Sequence, residues 1–174
     1  NGYAMSNCDK LASASLGNGV EKIGEYAFFS CESLKSITMP KALKVIAMNA
    51  FTYSGLKSVI LNDGLQKIGK NVFLDTNIEE IRIPASVTQI GDNAFPDSLK
   101  TVYLEKYTPS ILLDLMCEGN DAMLLIQTKE KEIMIPKQVC YTNKNILFQK
   151  LKEYFETPAA ERFSVYGYAR TEKT

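Results

Sequence analysis

Four cysteines and a scatter of carboxylates are the side chains best suited to chemistry in this 174-residue chain, and histidine is absent altogether. Without imidazole the chain lacks the commonest general base near neutral pH and the commonest metal ligand. Cys8 and Cys31 are 23 positions apart, a pair that would suit a disulfide or a shared metal if the intervening chain returned on itself. The other reading is a small buried turn residue, and it is favoured because the same place further along carries Ser54, Thr76 and Ser98. Cys117 and Cys140 show no C-x-x-C spacing, which argues against zinc.

Carboxylates fare no better as catalytic partners. Glu79 and Glu80 adjoin in a segment of alternating polarity, so as strand neighbours they point to opposite faces and cannot share a substrate. No G-x-x-x-x-G-K-[ST] phosphate loop occurs, and Asp63-Gly64 lacks the flanking ligands of a calcium loop. No catalytic, cofactor-binding or metal-binding residue is assigned, and the chain is expected to bind rather than to catalyse. Its partners are not expected to be nucleic acid: the 20 Lys and Arg balance the 20 Asp and Glu, with no one-signed half. Membrane insertion is not expected either, since no run approaches the roughly 18 apolar residues needed to cross a bilayer. The chain opens at Asn1 with no signal peptide and is read as a fragment or processed product, so targeting signals are expected to lie outside it.

The elements that position these side chains are set by a repeat. Ile23, Ile46, Ile68 and Ile90 recur at intervals of 23, 22 and 22 residues, with Phe28, Phe51, Phe73 and Phe95 each five positions later. Leu34, Leu56, Ile78 and Leu99 form a third series, and Ile37, Val59, Ile81 and Val102 a fourth. Displaced by 23 residues, Ala4, Met5, Cys8, Leu11, Ala14 and Leu16 fall on the same positions, so the chain opens inside a repeat. In Leu34-Lys35-Ser36-Ile37-Thr38-Met39 apolar and polar residues alternate, the pattern of a half-buried strand. Leu56 to Leu61, Ile78 to Ile83 and Leu99 to Leu104 read the same way. The links between them are far longer than a hairpin turn, so the strands are expected to stack in parallel about 4.8 Å apart. The V-x-x-I-G segment and the Ala-Phe turn then lie on the other side of each coil. The phenylalanines should form an interior ladder. Gly24, Gly69 and Gly91 suit a tight corner; Ala47 in the same place predicts either a different corner or a negative φ throughout.

The unit running from Val20 through Ile23, Gly24, Ala27, Phe28, Cys31, Leu34, Ile37 and Met39 to Pro40 resembles the BspA-like, or Treponema pallidum type, leucine-rich repeat. The likeness covers about residues 1–104, with departures at Met5, Ala47, Val72 and around Pro96-Asp97. It implies an α/β-type leucine-rich repeat solenoid, β-rich with parallel stacked strands, of about four to five coils. It also implies a bacterial surface or secreted factor acting in adhesion to host matrix proteins or other bacteria, with a cytoplasmic location as the alternative. The implied function is a non-catalytic interaction module; the rival is a structural spacer or intracellular scaffold with no ligand on its repeats.

After Leu104 the period stops, and only two of the ten glycines follow. Residues 105–174 are read as a small α+β domain capping the open end of the solenoid, or as a separate binding domain. Its elements are a helix over 109–117, strands over 122–127 and 132–135, a helix over 145–156, and a last helix capped by Thr157 and Pro158.

The outward strand positions form two columns: Ser13, Ser36, Ser58, Glu80, Thr101 and Ser15, Thr38, Ile60, Arg82, Tyr103. In repeat solenoids the strand face is commonly the concave, partner-binding one. Small polar residues give way to larger groups at one end, so Ile60, Glu80, Arg82, Thr101 and Tyr103 are the candidate contact for a protein or glycan. The alternative is an ordinary solvated face with a Glu80 and Arg82 pair.

Overall fold

The computed structural model describes residues 2–106, Ile111, 123–127 and 132–136. Each coil carries one strand on its outward face and a two-residue strand on its far side. In chain order these are β1 (Ser13–Ser15), β2 (Lys22–Ile23), β3 (Ser36–Thr38), β4 (Val45–Ile46), β5 (Ser58–Ile60), β6 (Lys67–Ile68), β7 (Glu80–Ile83), β8 (Gln89–Ile90) and β9 (Thr101–Leu104). Two further strands follow, β10 (Met123–Gln127) and β11 (Glu132–Pro136).

Strands β1, β3 and β5 stack in parallel, as do β7 and β9, as read from the alternation, with Ser36 opposite Ser13 and Ser58, and Glu80 opposite Thr101. They are shorter than the apolar pattern implied, because the first residues of each six-residue segment still belong to the preceding turn. The V-x-x-I-G segments make a second parallel sheet of four strands, in the order β2-β4-β6-β8.

No α-helix occurs within residues 2–106, which corrects the α/β expectation for the repeat. The reason lies in the Ala-Phe segment, where every second N–H group points along the solenoid and only the ones between bond back within their own turn. Tyr26, Phe28 and Ser30 donate to the carbonyls of Met48, Ala50 and Thr52 at 3.1, 2.7 and 2.9 Å. Asn49, Phe51 and Tyr53 repeat this to Lys70, Val72 and Leu74 at 3.0, 3.0 and 3.1 Å. A left-handed residue twice per coil sustains the arrangement: Tyr26 and Ser30 (φ 56°), Asn49 (56°) and Tyr53 (59°), Asn71 (56°) and Asp75 (54°). Such conformations cost a non-glycine residue on the order of 1–3 kcal/mol. Asparagine and aspartate bear them most easily.

The corner glycines serve a different purpose from backbone freedom. Neither Gly69 nor Gly91 lies in the left-handed region, yet a Cβ on Gly91 would stand 2.4 Å from the Lys70 nitrogen and 2.7 Å from the Gly69 carbonyl carbon. What requires glycine there is the close approach of the preceding coil. Ala47 has no positive φ and its side chain is buried, in line with the second expectation for that corner.

Inside, Phe28, Phe51, Phe73 and Phe95 stack face to face with centroids 5.2, 5.7 and 6.0 Å apart. Around them the other apolar series are buried, including Ile46, Leu56, Ile68, Ile78 and Ile81. The small-residue ladder caps backbone carbonyls. The Cys31 thiol donates to the Met5 carbonyl at 3.0 Å, Thr76 Oγ1 to Phe73 at 2.8 Å and Ser98 Oγ to Ile78 at 2.8 Å. Cys8 and Cys31 are free thiols, so the turn-residue reading holds in place of a disulfide. Cys117 and Cys140 lie outside the described residues.

The two strands read from the C-terminal sequence are present as β10 and β11. They pair antiparallel with each other, and β10 lies parallel on β9 with Leu125, Ile126 and Gln127 opposite Thr101, Val102 and Tyr103. The helices expected over 109–117, 145–156 and from Thr157 onward lie outside the described residues, apart from the buried Ile111.

Replacing Phe51 with Ala is expected to cost about 3–5 kcal/mol in urea denaturation, because its ring is stacked on both sides and cannot be replaced by collapse. A loss below about 1 kcal/mol would show that the ring ladder is not shared core. Burial pushes the Cys31 thiol above its ordinary pKa, keeping it protonated and unreactive. Iodoacetamide at neutral pH should therefore modify Cys8 in the native protein and Cys31 only after denaturant is added, as read by peptide mass mapping.

Candidate interaction surface

The candidate residues stand on the strand face because alternation sends every second side chain outward, and the inward partners Val59, Ile81 and Val102 are buried. Glu80 and Thr101 are neighbours in register across β7 and β9, as are Arg82 and Tyr103. These four therefore form a contiguous block. Ile60, on β5, is 75% exposed, and Tyr103 39%.

Ile60 is not hydrogen-bonded into that block. The outward sheet is divided: β1, β3 and β5 form one ladder, while β7 and β9 belong to another that continues into β10 and β11. Between them β5 and β7 remain adjacent, but the connection that survives just ahead of the strands is the Asn77 N–H to the Leu56 carbonyl at 2.8 Å. In the pairs of coils on either side, Lys57 donates to Lys35 at 3.1 Å and Lys100 to Glu79 at 2.8 Å, joining equivalent positions. Here the donor is the residue before Ile78 and the acceptor is Leu56 itself, so the register differs. The spacing does not account for it: Phe51 to Leu56 and Phe73 to Ile78 both span five positions, and the change from six, at Phe28 to Leu34, falls between β3 and β5, which stay in register.

Arg82 has carboxylate partners other than Glu80. Its guanidinium pairs with Glu105 and lies 3.7 Å from Asp63, whose side chain is 82% exposed. The other oxygen of Glu105 accepts the Ala85 N–H at 3.1 Å. Glu80 sits two residues away along the same strand, where the extended backbone separates the two groups, whereas Asp63 and Glu105 come from the loops of the flanking coils. Those two acids follow the strand ends closely, a signal the outward-column reading passed over. Glu79, on the opposite alternation to Glu80, pairs with Lys100 at 2.9 Å. Exposed pairs of this kind contribute about 0–1 kcal/mol each, so they orient Arg82 more than they stabilise the fold.

A second group of side chains, aromatic ones exposed at Tyr3 and Tyr53 and half-buried at Tyr26 and Phe29, lies on the Ala-Phe turns. Tyr3 and Tyr26 stack with centroids 4.8 Å apart and planes within 4°. Phe29 meets Tyr26 at 5.6 Å and Tyr53 at 5.6 Å, edge-on in the second case at 87°. Tyr53 is 51% exposed. Nothing in the repeat required aromatic residues at these outward places, and only the stacked coils bring them side by side.

Residues 1–102 match the model of the BspA type leucine rich repeat region, with 6 copies. Among solved structures, the chain is 35% identical to a leucine-rich repeat protein from Bacteroides ovatus, over 60% of this chain and 29% of that one, with a TM-score of 0.57. It is 32% identical to the Treponema pallidum leucine-rich repeat protein, over 59% of this chain and 50% of that one, at TM-score 0.55. A leucine rich cell surface protein from Faecalibacterium prausnitzii is 25% identical over 68% of this chain and 32% of that one, at TM-score 0.53. The chain thus spans half or less of the length of these proteins. No curated protein matches it. The stacked parallel coils, the phenylalanine ladder and the family match over 1–102 agree: this chain belongs to the BspA type leucine-rich repeat family.

Proposed function

We propose that this chain is a non-catalytic interaction module of a bacterial surface or secreted protein, and that it binds a macromolecular partner through the outward strand face. The observation that carries this reading is the exposure of Ile60 on β5, the strand next to β7, together with an Arg82 held ready by Asp63 and Glu105 and a Tyr103 in register with it. Arg and Tyr are the side chains that most often anchor interfaces, and an isoleucine left three-quarters in water gains most from being covered. Glu80 and Thr101 complete the block as its polar rim. The surface location rests on the likeness to the Faecalibacterium cell surface protein.

Strands β10 and β11 fit a cap in this scheme. Strand β10 covers the edge of β9 that the end of the repeats would otherwise leave unpaired. That keeps the edge from recruiting another chain.

The test is binding of the purified chain to immobilised host matrix proteins and to bacterial surface extract, against a variant carrying Ile60→Ser, Arg82→Ala and Tyr103→Ser. The variant should lose at least tenfold in affinity, about 1.4 kcal/mol, for whichever partner the parent binds. Unchanged affinity would assign the strand face a spacer role instead. Arg82→Gln alone should lower thermal stability by less than about 1 kcal/mol, a difference that high salt removes.

A further inference from the structure

At the corner just ahead of the strand face lies a shallow, open cleft of about 270 Å³. Three successive coils line it: Glu32 and Lys35 from one, Tyr53 and Ser54 from the next, Asp75 and Asn77 from the third. At its floor the Gly55 backbone packs closely on the neighbouring coil, where a Cβ would lie 2.0 Å from the Glu32 carbonyl oxygen. Only glycine fits there.

From this cleft we infer a saccharide-binding site, separate from the strand face and independent of the function proposed for it. Three features select this chemistry. Tyr53 offers a half-exposed ring whose orientation is fixed by the edge-on Phe29, a platform for the apolar C–H face of a sugar ring. Around it stand both kinds of hydrogen-bonding group that sugar hydroxyls need. The Glu32 and Asp75 carboxylates accept, Lys35 donates, and the Asn77 amide does both.

The third feature is Ser54. Its repeat-mates Cys31, Thr76 and Ser98 all hydrogen-bond backbone carbonyls, whereas the Ser54 hydroxyl is buried with no partner among the described residues. A buried hydroxyl without a partner at the wall of a polar cleft gains a bond when a hydroxylated ligand enters.

Charge narrows the class further. One cation faces two carboxylates, so a sulfated, phosphorylated or uronic sugar is repelled and a neutral one is accepted. The platform also continues past the cleft, through Phe29 to the stacked Tyr26 and Tyr3, which favours an oligosaccharide over a single ring.

The experiment is saturation-transfer NMR and calorimetric titration of the whole chain with neutral oligosaccharides built on glucose, galactose or N-acetylglucosamine. Sulfated counterparts, a lysine-rich peptide and a proline-rich peptide serve as comparisons. One neutral series should bind, Tyr53→Asn should weaken it at least tenfold and Asp75→Asn at least threefold, and Arg82→Ala with Tyr103→Ser should leave it unchanged. Asparagine suits the positive φ of both positions, 59° at Tyr53 and 54° at Asp75, so the variants keep the backbone, which equal thermal midpoints would verify. The inference is overturned if no neutral sugar binds the parent more tightly than the Tyr53→Asn chain. It is equally overturned if either peptide or the sulfated sugars bind the cleft in preference to the neutral sugars.

Discussion

Everything in this molecule depends on the fit of each coil against the next. No coil could bury its own apolar face, because 22 or so residues enclose too little volume; stacking turns a line of such coils into one continuous core. The contact has two parts that reinforce each other. The phenylalanine ladder fills the interior at centroid separations of 5.2 to 6.0 Å, and every second N–H group of the Ala-Phe turns bonds a carbonyl of the following coil. The strain of the left-handed residues is tolerated because the hydrogen bonds it permits run along the whole stack.

The same economy explains where the regularity fails. The inward ladder and the far-side sheet run on continuously, yet the outward sheet is divided between β5 and β7 and a cleft lies at the corner beside Gly55. The interior resists change because any shift there leaves a void, while the solvent-facing corner can absorb it. Irregularities of a solenoid are thereby driven to the surface, where they become shape that a ligand can use.

Charge follows the same division. The balanced charges do not make a field over the surface; they make local pairs between coils, Arg82 with Asp63 and Glu105, and Glu79 with Lys100. Such pairs contribute little to stability, but they set how the exposed side chains are presented. The strand face and the corner cleft differ accordingly, the first offering an apolar side chain, an aromatic ring and an oriented cation, the second an aromatic platform among hydroxyl-binding groups.

The sequence by itself determined the coils, their inward side chains and the parallel stacking, because four apolar series locked at one period admit few other packings. It also settled Cys8 and Cys31 as turn residues, since serine and threonine recur where they stand, and it placed β10 and β11 to within a residue of where they lie. It did not yield the all-β path of the Ala-Phe segment, since hydrogen bonds to the next coil leave no mark in local residue preference. The pairing of Arg82 with Asp63 and Glu105 was hidden for a related reason, as those acids lie about 20 residues to either side and meet it only when the coils are superposed. The row of outward aromatics and the cleft at Gly55 belong to the tertiary structure alone: each is a coincidence of positions on successive coils, created by the stacking and absent from any one of them.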